Sequence, residues 1–305
     1  MATDARVRRF VRARLCPPAL HRAAIIPIFQ SMSSPIPSPL NDDLTRLGLV
    51  DDEEIVLDEA ALALALLDRP EVDLAPYHQT LDDIAVRLGR VGADAVTAAD
   101  QAEALSEVLA QEFGFLGDDQ TYDDPDNADL IRVMDRRRGL PVSLSILYVA
   151  AARRLGWHAQ VLDVPGHVLV LVGMDVAPVI IDPFAGGARV SAERFAALLQ
   201  AFSPPEEPVT QVSAMPNRAV LIRLLQNQAS RAEQAGQGRR ALILYERMTA
   251  MAPEYAHAWW QRARLELVDG EVASARSSLG TILEITRDPE LRSRVSEMLG
   301  MLPPP

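Results

Sequence analysis

The 305-residue sequence contains no lysine, so all 30 of its basic residues are arginine. It therefore has no side-chain amine through which it can be cross-linked. With the heavy use of alanine and proline, this bias matches a GC-rich bacterial genome. Cysteine is almost absent too. The single one, Cys16, rules out an intramolecular disulfide framework and fits a reducing, cytoplasmic compartment. No run of about 18 apolar residues occurs, so no membrane span is expected. What is present is a globular composition, 49% hydrophobic and 24% charged, on a chain long enough to bury a real core.

The net charge of −12 is unevenly spread. Residues 1–33 hold six arginines and one acid, Asp4, which leaves 24 basic and 41 acidic side chains for the rest. A body that acidic repels nucleic acid and anionic lipid, so neither is expected as a partner. The basic start has the composition of an organellar transit peptide. Its apolar stretch, Ala23-Ala24-Ile25-Ile26, stops at Pro27 and is too short for a secretory signal. The preferred expectation is an unstructured extension, with translation placed upstream of Met32 and Cys16 inert. A Ser/Pro-rich linker closes it, giving a first region of residues 1–39.

Beyond the linker the pattern is helical. Leu57 to Leu67 is rich in Ala and Leu and ends before Pro70. Leu81, Ile84, Ala85 and Leu88 mark an amphipathic helix that Gly89 is expected to close. Ala98 to Phe113 gives another. Six aspartates crowd residues 118–129, but an EF-hand counted from Asp124 would place Asp129 and Asp135 where Gly and Glu are required. The better expectation is a solvated loop in which Asp126 or Asn127 caps a helix that Gly139 stops. Residues 142–155 are apolar on nearly every side, which predicts a buried helix started by Pro141. Three β-branched runs follow, Ala159 to Val164, Val168 to Val172 and Val179 to Ile181. They predict an antiparallel sheet against that helix, an α+β core.

The last third repeats. Ala229, Gly236 and Ala241 recur 34 residues later as Ala263, Gly270 and Ala275, and Tyr245 and Met248 are answered by Leu279 and Ile282. This is the tetratricopeptide pattern. Two repeats and part of a third are too few to bury a continuous core alone, so they are expected to lean on the central domain. Trp259 and Trp260 are expected to fill the helix-pair core. The domain reading is 40–208 for the central domain and 209–305 for the helical repeats, with Pro204 to Pro216 as connector.

The chemistry concentrates between Gly139 and Gly187. A buried helix start, then His167 opening a strand, then Asp182 ending the next strand, is the order of a papain-type thiol hydrolase. There the helix N-terminus acidifies a cysteine, the histidine takes its proton, and the third residue orients the imidazole. The motifs Gly114-Phe115-x-Gly117, Arg137-Arg138-Gly139-Leu140-Pro141-Val142-Ser143-Leu144-Ser145, Pro165-Gly166-His167 and Asp182-Pro183-Phe184-x-Gly186-Gly187 resemble SirB-type proteins of the transglutaminase-like superfamily. The resemblance spans roughly residues 40–300, departs at Asp118, where the family tends to have asparagine, and implies a transglutaminase/papain-like core followed by tetratricopeptide repeats.

The same resemblance aligns His167 and Asp182 with the family's catalytic His and Asp, and it sets the nucleophilic cysteine at Pro141. A proline has neither a side-chain acid nor a backbone N–H, so cysteine chemistry is excluded at this position. Ser143 is rotated by about 200° from residue 141 and faces away, whereas Ser145 returns to nearly the same face. The bland expectation for both is an ordinary helix serine bonded to the carbonyl four residues back. Three functions follow. The preferred one is a catalytically inactive binding or regulatory module with a protein partner. The second is a hydrolase or amidase that uses His167 and Asp182 with Ser145 or an activated water. The third, a thiol enzyme recruiting Cys16, is the weakest. No cofactor motif and no metal-ligand cluster is present.

Overall fold

The computed structural model describes residues 40–164, 166–174, 177–202 and 212–303. The basic extension with Cys16, Pro165 of the Pro-Gly-His motif and residues 204–211 of the connector lie outside the described residues. The chain opens with helices α1 (Leu40–Leu49), α2 (Leu57–Leu66) and α3 (Ala75–Val91). Pro76 occupies the first turn of α3, and Leu81, Ile84 and Leu88 form its buried stripe. Gly89 does not close this helix. It faces open space, and α3 runs on to Val91, where Gly92 donates its N–H to the Leu88 carbonyl at 2.8 Å. A reciprocal Thr97–Asp100 capping box starts α4 (Ala98–Leu105). The helix then widens into a π-helical segment, Ser106–Glu112, and Phe113 N–H bonds the carbonyl of Val108 five residues back.

The aspartate-rich loop is ordered differently from the expectation. Pro125 begins a single 3₁₀ turn, Pro125–Ala128, so neither Asp126 nor Asn127 can cap the helix after it. Asp129 does, accepting from Arg132 N–H at 3.1 Å at the start of α5 (Leu130–Arg136). Nor does Gly139 stop α5. Arg137 takes the left-handed position at φ 58°, and Gly139 lies in the short strand β2 (Arg138–Gly139), parallel to β1 (Leu116–Gly117).

Helix α6 (Pro141–Arg154) is buried at every position from Pro141 to Ala152. Against it lies an antiparallel sheet of four strands in the order β3 (Ala159–Val164), β4 (His167–Val172), β5 (Val179–Asp182) and β6 (Ala188–Arg189). The fourth strand was not expected, because two residues carry no periodicity. Val161, Val168, Val170 and Ile181 belong to the main core. The alternate residues Leu162, Leu169, Leu171 and Ile180 form a second core with Phe195 of α7 (Ala192–Phe202).

Five helices complete the chain: α8 (Asn217–Gln234), α9 (Gly238–Met251), α10 (Ala256–Val268), α11 (Val272–Ile285) and α12 (Pro289–Met301). Each packs on the next. Positions 34 residues apart play the same part. Ala229 and Ala263 are fully buried, as are Ala241 and Ala275, and Gly236 and Gly270 turn the chain at φ 71° and 80°. The indoles of Trp259 and Trp260 are half-buried against the last helices, under the guanidinium groups of Arg262 and Arg294.

These helices are docked onto the rest. Asp52 accepts from the N–H groups of Asn217 and Arg218 at 2.7 and 2.8 Å, capping α8 from far away in sequence. Asp68, just after α2, holds Arg240 and Arg247 of α9 in two forks of 2.5 to 2.9 Å. Burial alone would raise the Asp68 carboxyl, but the two guanidinium groups outweigh it and bring the pKa down to about 2. A depressed carboxylate stabilises the fold above its ordinary value and ceases to as pH falls through its folded value. Asp68→Asn should therefore lower stability by about 2 kcal/mol at neutral pH. In urea melts the gap from the wild type should close as pH drops from about 4 toward 2.

Candidate active site

Strand alternation and hairpin register bring the two family-aligned residues together. Val170 faces Ile181 across the β4–β5 ladder, so continuing the register puts Asp182 opposite Leu169. His167 is then a diagonal neighbour on the same face, within reach of a long side chain. The His167 Nε2 and Asp182 Oδ2 atoms are 2.8 Å apart, and both side chains are 20% exposed, so the pair is neither sealed nor free in solvent.

Asp182 is held from both sides. Its Oδ1 accepts from the backbone N–H groups of Phe184 at 3.0 Å and Ala185 at 3.4 Å, which makes Asp182 the cap of a 3₁₀ turn begun by Pro183. The sequence held this signal, because Asp followed by Pro is the pattern of a cap and a first helical position. A carboxylate only accepts, so Nε2 of His167 carries the hydrogen. In the neutral ring Nδ1 then keeps its lone pair, the tautomer that a general base requires.

The turn beneath the dyad is clamped from the π-helical segment. Ser106 Oγ donates to the Gly186 carbonyl at 2.6 Å. A side chain at Gly187, where φ is 79°, would press on the Ser106 Cβ at 2.9 Å and the Tyr148 ring at 3.1 Å. Phe184 covers Gly117 of β1 so closely that a Cβ there would lie 2.6 Å from the ring, and its ring packs edge-to-face with Tyr122, the centroids 5.8 Å apart. Tyr122 belongs to the motif Tyr122-x-x-Pro125-x-Asn127, part of the family resemblance, whereas neither Ser106 nor Tyr148 was singled out by sequence, since each reaches the dyad region from a distant segment.

The start of α6 is locked by one asparagine. The backbone carbonyl of Asn127 accepts from Leu140 N–H at 3.0 Å and from Ser143 Oγ at 2.8 Å, while its Nδ2 donates to the Thr121 carbonyl at 2.7 Å. Ser143 thus bonds across to the loop rather than back along its own helix. Ser145 does neither. It is fully buried, and its Oγ has no hydrogen-bond partner among the described residues, His167 included. Tyr148, one turn further, is also buried with an unpartnered hydroxyl, and burial followed by the Asp182 charge pushes its ionisation well up. Pro141 is buried at the first position of the helix.

The acidic loop resolves into ion pairs. Asp118 accepts from the Thr121 hydroxyl and backbone and from Arg136, and these bonds, against its desolvation, hold its carboxyl at about 2. Asp126 and Asp129 face Arg69, and Asp124 faces Arg136. Among the described residues no group of three or more His, Cys, Asp or Glu side chains is placed to hold a metal ion, and no helix is long and apolar enough to cross a membrane.

The family model of the transglutaminase-like superfamily matches residues 75–226, which takes in α3 through most of α8. A UPF0162 protein of Xylella fastidiosa (strain 9a5c) is 30% identical over 245 residues, covering 78% of this chain and 87% of the relative. A UPF0162 protein of Pseudomonas aeruginosa is 28% identical over 260 residues, covering 85% and 95%. Human F-box only protein 21 matches a shorter stretch, 34% identical over 68 residues, which is 22% of this chain and 11% of that protein.

Two substitutions test the site geometry. Ser145→Ala removes a buried hydroxyl that bonds nothing, so thermal stability should hold or rise by up to about 1 kcal/mol. Asp182→Ala strands two backbone N–H groups and the imidazole, and should cost about 1–3 kcal/mol in the same denaturation assay.

Proposed function

We propose that this chain, which belongs to the UPF0162 protein family and carries a transglutaminase-like domain, acts as a binding or regulatory module and not as a thiol enzyme. The observation that supports this most is Pro141. It stands at the first position of a helix buried from Pro141 to Ala152, where the family resemblance places the nucleophile. The neighbouring hydroxyls do not replace it. Ser143 is bonded to Asn127, and Ser145 is sealed without a base in reach. A hydroxyl with no general base and no access to substrate does not attack an acyl carbon.

On this reading the chain is a SirB-type protein of the cytoplasm, and its last five helices form a tetratricopeptide-like array. Such arrays bind protein segments in the groove between stacked helix pairs. The equivalent roles of residues 34 apart support it, as does the docking of α8 and α9 onto the central domain through Asp52 and Asp68. The partner is a protein, and the dyad survives as a structural cap for the Pro183 turn.

One observation favours a second reading. The His167–Asp182 pair keeps the spacing and partial exposure of a working base. An activated water, rather than a serine, would then be the nucleophile. His167 Nδ1 would take the water's proton as the oxygen bonds to an acyl carbon, and would return it to the departing group.

Complementation separates the two. In a strain lacking this chain, a His167→Ala variant should restore growth or stress tolerance as fully as the wild type. Failure of a variant that folds and accumulates normally would sink the binding-module reading and support the activated-water one.

A further inference from the structure

The two faces of the four-stranded sheet are closed very differently. Val161, Val168, Val170 and Ile181 share the main core with α6, which is buried from Pro141 to Ala152. The opposite face presents Leu162, Val164, Leu169, Leu171 and Ile180, and α7 lies on it. Among the described side chains of this 11-residue helix only Phe195 is buried, with Leu198 and Leu199 half-buried one turn on. That i, i+3, i+4 spacing is a single narrow apolar stripe, and Glu193, Arg194, Ala197 and Gln200 around it are exposed. An isolated helix of this length is marginal in water, so α7 depends on the stripe to stay helical.

The dyad belongs to the thinly covered face. Residues directly opposite in an antiparallel ladder point to the same side, and His167 is paired with Val164 of the second core. Asp182 comes two residues after Ile180, which puts it on that side as well. The helix that begins at Pro141 packs on the other face.

The geometry points to α7 as a cover that opens on its own and bares the sheet face carrying His167 and Asp182. Opening breaks the Phe195 contact and leaves the strand ladder, α6 and the main core in place. It therefore takes only part of the free energy of global unfolding. With α7 away, the apolar face beside the imidazole is open to an apolar group of a bound protein, whichever reading of the dyad holds.

Native-state hydrogen exchange on the full chain tests this. Amides of α7 should exchange at least about 100-fold faster than those of α6, and Phe195→Ala should speed them by a further tenfold or so. Ile146→Val loosens the main core, which α7 opening leaves intact. It should speed α6 exchange by about fivefold and leave α7 exchange unchanged. Thiol labelling reads the bared face directly. With Cys16→Ser as background, Leu171→Cys should react at least about tenfold faster than Val170→Cys, its neighbour on the α6 face. The proposal fails if α7 exchanges no faster than α6, if Ile146→Val speeds both helices alike, or if the two cysteines react equally. The Ile146→Val comparison decides the matter even if Phe195→Ala does not fold.

Discussion

The fold hangs on a helix with no wet face for its first three turns. From Pro141 to Ala152 every side chain of α6 is buried, so everything around that helix must supply a surface. The sheet covers one side, and α2, α3, α4 and α8 close the others. A helix buried this completely tolerates polar groups only where they are bonded. Ser143 meets the rule through Asn127, and Ser145 and Tyr148 do not. The loop of aspartates acquires its purpose here. Its ion pairs with Arg69 and Arg136 hold Asn127 where the helix start needs it.

The dyad is built by different means. It comes from strand ends, a hairpin register and a short capped turn, none of which requires a nucleophile on α6. That independence explains how a His–Asp pair of good geometry coexists with a proline at the helix start. The imidazole partner also caps the Pro183 turn, so Asp182 has a structural role whether or not chemistry occurs. Arg137 sits at the end of α5, where the chain turns back into β2, and its carbonyl accepts from Leu116 N–H of β1 at 3.1 Å.

Arginine as the sole long cation shapes the tertiary contacts. Guanidinium groups bind carboxylates in planar forks, and they stack on rings. Asp68 engages two of them at once to fasten α9, and Phe115, Tyr122, Trp259 and Trp260 each lie under one. With ammonium groups in their place, the fork geometry that joins α9 to Asp68 would be lost.

The sequence by itself determined what periodicity and small residues encode. The buried helix, three of the four main strands, the order of His167 and Asp182, and the 34-residue recurrence were legible, because each rests on spacing along one segment. The absence of a cysteine from the helix start was legible from a single residue, Pro141. Only the tertiary structure decided where the polar groups go. That Asp129 and not Asp126 caps α5, that Ser143 bonds a loop carbonyl, that Ser145 bonds nothing, and that Arg137 takes the left-handed position all depend on segments distant in sequence. Hydrogen-bond partners across such distances leave no period to read. The same holds at the start of α6: Pro141 is one residue in a motif, but only the tertiary structure showed that Ser145 is sealed and finds no hydrogen-bond partner among the described residues.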